Sequence, residues 1–151
     1  MKLAEALILR ADLQKRIEQL KQRILNNVMV QEGDEPAEDP SQLLRELEQA
    51  SAELVDLVQR INRTNSSTQL GDTLSLADAL AVRDSLKTRY TVYRELAQAA
   101  VIKHSRFSRS EVKFVSMVNV SDIQQTADRL AKEHRELDAL IQASNWNSEL
   151  T

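Results

Sequence analysis

Cysteine is absent from the 151 residues, and with it go disulfides, thiolate nucleophiles and cysteine-ligated zinc. Glycine and proline occur twice each, too few to punctuate many short elements, so the elements must be long. No run of about 18 apolar residues occurs, which excludes constitutive membrane association through a spanning helix. An excess of positive charge is missing too. Twenty Lys and Arg stand against 23 Asp and Glu, a formal charge of -3, whereas a general binder of nucleic acid or of anionic membrane needs clustered surplus cations. No nucleic-acid partner is therefore expected. There is no glycine-rich phosphate loop, no nucleophile elbow and no paired-carboxylate setting, so no residues support an enzyme and no cofactor is expected. The opening MKLAEALILRADL interleaves its charges with apolar residues instead of gathering them ahead of an apolar block; it reads as helix, not as an export signal, and the expected location is cytoplasmic.

What is present is the composition of a globular chain, 42% apolar and 28% charged, of a length that suits one helical domain over residues 1–151. From Met1 to about Val30, apolar residues recur at Leu3, Ala6, Leu9, Leu13, Ile17, Leu20, Ile24 and Val28, the stripe of an amphipathic helix roughly 40 Å long. Gln31 to Asp39 breaks the pattern with Gly33, Pro36 and a run of acids. A calcium loop needs acids at alternate positions, Gly at the sixth and Glu at the twelfth, and this order is lacking, so the stretch is a solvated acidic loop with no bound metal. Asp39 then caps a second helix, Pro40 suits its first position, and Gln42 stands where a capping-box partner belongs. Leu43, Leu47, Ala50, Leu54, Leu57 and Ile61 form its heptad seam.

Thr68 to Leu74 is an open loop or a tight turn between very short strands. Ser75 caps a third helix, with Asp78 completing the box, and its seam runs Leu76, Ala79, Arg83, Leu86, Tyr90, Tyr93, Ala97, Ala100. His104 to Val120 reads as a strand, since Val112, Phe114, Val118 and Val120 share one parity; a lone strand is unstable in water, so it must pair with Thr68 to Leu74 or with another subunit. A fourth helix starts at a Ser121 cap with Gln124 three residues on, and its seam is Ile123, Ala127, Leu130, His134, Leu137, Ile141. Trp146 is expected to anchor the chain end.

Three seams carry a cationic or titratable residue where an apolar one belongs: Arg10, Arg83 and His134. A buried guanidinium without a partner costs several kcal/mol, so Arg83 needs an acid or carbonyl oxygens. Asp84 points roughly 100° away around the helix. Asn62, Asn65, Asp72 or an acid from another chain are the better-placed partners. Two uses follow for Arg83. It belongs to a polar network that sets register and subunit geometry, or it forms a pocket for a small anion with Arg106, Asn65 and Asn62. His134 has Glu133 and Asp138 nearby, but no histidine follows a Glu by three residues, so a ferritin-like metal site fails on spacing. Lys103, His104, Arg106, Arg109 and Lys113, with Phe107 among them, are the one basic cluster, and the acidic Glu32 to Asp39 loop of a neighbouring subunit is an available partner for it.

The segments ALILRADLQKRIEQL, VQEGDEPAEDP, INRTN, ALAVRDSL, RFSRSEVKFVSMV and RELDALIQASNW together resemble a family of small, functionally uncharacterised bacterial helical proteins, some of whose members carry the label septicolysin. The resemblance implies a long-helix fold assembled into homo-oligomers, and the label a pore-forming cytolysin. The expected fold is thus an all-α antiparallel bundle of four long helices with a short extended or β element between helices 3 and 4. The expected role is that of a self-assembling structural or interaction protein, a homo-oligomer whose partner is itself, with small-ligand or anion binding around Arg83 and a septicolysin-type pore as the alternatives.

Overall fold

The computed structural model describes residues 1–101 and 112–151. Among these residues are four helices: α1 Leu3–Asn27, α2 Pro40–Ser67, α3 Leu76–Ala99 and α4 Val120–Asn147. Between α2 and α3 lies a two-stranded antiparallel sheet, β1 Gln69–Leu70 and β2 Leu74–Ser75, with Gln69 opposite Ser75 and Leu70 opposite Leu74. The fold is all-α with this one small addition. Two compact units divide it, one of residues 1–76 with 142–151 and the other of residues 77–141.

In the first unit α1 and α2 pack as a hairpin. Leu20, Leu43 and Ala50 form a buried cluster, with Ile17, Ile24 and Leu47 packed against it. The α2 seam is the one its heptads announce, with Leu43, Ala50, Leu57 and Ile61 buried, and it continues into Thr64. The α1 seam keeps its expected line except at Leu9 and Val28. Leu9 is 42% exposed and Val28 62% exposed, whereas Leu3, Ala6, Leu13 and Leu20 are buried, so the alternating steps of three and four run through Arg10. Leu9 and Arg10 are both legal neighbours of Leu13 on a helix and the sequence offers both for the seam; strict alternation of threes and fours from Ala6 to Ile17 selects the arginine.

Asp39 caps α2 by accepting a hydrogen bond from the Ser41 amide at 2.9 Å, and Pro40 opens the helix. The preceding loop is tied to α1. The Arg23 guanidinium donates two hydrogen bonds to the Glu38 carboxylate, and Asn27 Oδ1 accepts from the Glu38 amide at 3.0 Å. Glu38 therefore has its cation within its own chain. After α2 the backbone reverses at Gly71, whose φ of 74° lies in the left-handed region that glycine enters freely, and the Leu76 amide closes the turn onto the Thr68 carbonyl at 2.8 Å. The chain's two ends meet here as well. Lys2 and Glu149 form a β-bridge, the Leu3 amide donates to Ser148 and the Leu150 amide to Met1. These backbone bonds do what Trp146 was expected to do: the indole is 56% exposed, and Asn145 is the buried residue beside it.

In the second unit α3 follows its expected line, with Ala79, Leu86 and Ala97 buried and Arg83, Tyr90 and Tyr93 half-buried. The α4 seam likewise buries Ala127, Leu130 and Ile141 around a half-buried His134. Its cap lies two residues before Ser121: Asn119 Oδ1 accepts from the Asp122 amide at 3.2 Å. Asn is as good a cap as Ser, and starting earlier lets Val120 join the first turn.

The extended element is not where the alternation of apolar residues put it. Residues 112–119 contain no strand, and the part of that expectation covering 104–111 falls outside the described residues. Val112, Phe114, Val115 and Met117 are all exposed, so neither parity has a buried face to define a register, and the strand pairing is made at Leu70 and Leu74 instead.

Candidate functional site

Arg83 finds its acid within the chain. One guanidinium nitrogen donates to Asp138 Oδ1 at 3.0 Å and the other lies 3.4 Å from Asp84 Oδ1. With the Arg83 side chain 26% exposed and that of Asp138 37%, the pair is screened by water and contributes on the order of 1 kcal/mol or less. Asp138 stands where Asn62, Asn65 or Asp72 was expected, and Asp84, set aside for its angle around the helix, is within reach as well. Asp138 stands one turn beyond His134 on α4, and Arg83 lies early in α3, the relation expected of antiparallel neighbours.

From this pair a cleft of about 750 Å³ extends along α3 and α4. Its walls are two matching sets: Lys87, Tyr90, Thr91 and Arg94 from α3, then Ala131, His134, Arg135 and Asp138 from α4, each spaced i, i+3, i+4, i+7. That spacing puts four side chains of each helix on one face over two turns. Tyr90 and His134 occupy seam positions, and where leucine pairs would close a bundle these polar rings hold it open. Ala131 contributes only a methyl group. Arg94 stacks over the Tyr90 ring at 5.7 Å from its centroid, a cation–π distance that orders the guanidinium. The Thr91 hydroxyl donates to the Lys87 carbonyl at 3.1 Å, leaving its oxygen lone pairs as acceptors. Among the described residues, four cations, Arg83, Lys87, Arg94 and Arg135, therefore line a space holding one carboxylate, that of Asp138.

Of the other residues expected at an Arg83 site, Asn62 and Asn65 lie in α2, in the first unit. Asn62 borders a shallow hollow with Arg63, Ser66, Ser67 and Thr151, and its carbonyl accepts from the Ser66 hydroxyl at 3.0 Å. Arg106, with Lys103, His104 and Arg109, lies outside the described residues. Sequence reasoning had no role for Lys87, Thr91, Arg94 or Arg135. Their signal was a basic row flanking the seams of α3 and α4 beside the two polar seam positions, a pattern that a solvated helix face also produces.

A family model matches residues 10–150 and describes a family of unknown function, DUF6847. The chain belongs to that family. It is also similar over its whole length to a solved structure, the crystal structure of a functionally unknown conserved protein from Corynebacterium diphtheriae, with 47% identity, a TM-score of 0.94 and 99% of that chain covered. No curated protein matches. The septicolysin label is thereby corrected, since neither the family nor the solved relative bears it, while the expectation of a functionally uncharacterised family agrees with both. Among the described residues no helix is long and apolar enough to cross a membrane.

Proposed function

We propose that this family member is a non-enzymatic binding protein that holds a small anion in the α3–α4 cleft. The observation that supports it is a charge imbalance. Asp138 is committed to Arg83, and Lys87, Arg94 and Arg135 have no ion-pair partner among the described residues. Like charges gathered in a concave space repel one another, and an anion relieves that repulsion more effectively than water does. Thermal unfolding in chloride, sulfate, phosphate and citrate at equal ionic strength tests this. Multivalent anions raise the midpoint of the natural chain and leave that of a Lys87→Gln, Arg94→Gln, Arg135→Gln variant where chloride leaves it; equal responses of the two proteins would refute the site.

A second reading, a self-associating interaction protein, is favoured by Val112, Phe114, Val115 and Met117, four apolar side chains within six residues that are 74 to 90% exposed. Light scattering checks it. The expected mass is a multiple of the single chain, reduced to one chain by Phe114→Ser with Met117→Ser, and a single-chain mass for the natural protein removes this reading.

A further inference from the structure

Resting on the anion-binding reading of the α3–α4 cleft, we infer that its occupant is an organic diphosphate whose organic part donates hydrogen bonds, the chemistry of a nucleoside diphosphate. Size is the first ground. A space of about 750 Å³ is that of a small-molecule pocket and has room for an organic body beside the charged group.

Charge is the second. Lys87, Arg94 and Arg135 remain after Arg83 is matched to Asp138. A phosphate monoester carries about -1.5 to -2 at neutral pH, and a second phosphoryl group brings the total close to these three cations. A monocarboxylate leaves two unmatched. Two of the three are guanidinium forks, which fit the paired oxygens of phosphoryl groups, and Lys87 supplies a point charge between Arg83 and Arg94 on the same helix.

The polar inventory of the remaining wall describes the body. Tyr90 and His134 present flat rings at the seam, and the Thr91 hydroxyl, having donated to the Lys87 carbonyl, has only lone pairs to offer. A sugar hydroxyl or a base amino group satisfies those lone pairs; a bare pyrophosphate ion does not.

Calorimetric titration of the full chain with ADP, pyrophosphate, citrate and adenosine at fixed ionic strength tests the assignment. The expected order is ADP, then pyrophosphate weaker by about tenfold, then citrate, with adenosine not measurable. Thr91→Val narrows the gap between ADP and pyrophosphate while leaving pyrophosphate affinity unchanged, a readout that misfolding does not imitate. Citrate binding as tightly as ADP overturns the diphosphate and keeps the anion site. Pyrophosphate equal to ADP overturns the organic body alone. Binding by none of the four overturns this inference and the anion site together.

Discussion

Arg83 and Asp138, 55 positions apart, share a hydrogen bond of 3.0 Å, and this pair decides how much of the cleft's positive charge is left for a ligand. Asp138→Asn keeps the side chain's shape and removes its charge. The expected result is a loss of stability of about 1 kcal/mol or less, because both partners are partly solvated. Anion affinity moves the other way, rising about fivefold, since one added positive charge near the ligand is worth roughly 1 kcal/mol in a watery site. Urea unfolding and anion titration of the same variant measure the two effects, and a parallel fall of both would separate Asp138 from the ligand charge.

Arg10 occupies a seam position of α1, and its Nε is buried without a hydrogen-bond partner among the described residues. An unsatisfied buried polar atom costs about 1–3 kcal/mol, so Arg10→Met, which keeps the length of the stem, is expected to raise stability by about 1 kcal/mol. The urea midpoint should rise with an unchanged slope.

The α1 seam separates two leucines of similar sequence context. Leu20 is 1% exposed within the cluster of Leu43 and Ala50, and Leu20→Ala should cost about 2–5 kcal/mol through lost burial and an unfilled cavity. Leu9→Ala, at a position 42% exposed, should cost under about 1 kcal/mol. Equal losses in chemical denaturation would restore Leu9 to the seam.

Hydrogen bonds from the Arg23 guanidinium, with its charge, hold the Glu38 carboxyl below the ordinary carboxylate range, and the Lys2 ammonium together with the N-terminus does the same for Glu149. A carboxyl whose pKa is lower folded than unfolded stabilises the fold at every pH above its unfolded value, and that contribution is lost as pH falls through the lowered folded value. Stability should therefore decline on acidification below about pH 4.3. Glu38→Gln, with no carboxyl left to protonate, should show a shallower acid limb in thermal midpoints measured between neutral pH and pH 2.

The four helices, the α2, α3 and α4 seams, the Asp39–Pro40 start and the polar interruptions at Arg83 and His134 were all legible in the sequence. Each is a local property: a 3.5-residue apolar repeat, a cap and a proline act within a turn or two of their own position. Tertiary structure alone decided what depends on which surfaces meet. It left Leu9 in solvent, moved the α4 cap from Ser121 to Asn119, chose the tight turn between short strands from the two readings open for Thr68 to Leu74, and left 112–119 without a strand. It also matched Arg83 to Asp138, leaving Lys87, Arg94 and Arg135 around one cleft. A helix period states which face a side chain occupies, but an ion pair depends on distance through space, and that distance exists only once two helices have been laid side by side.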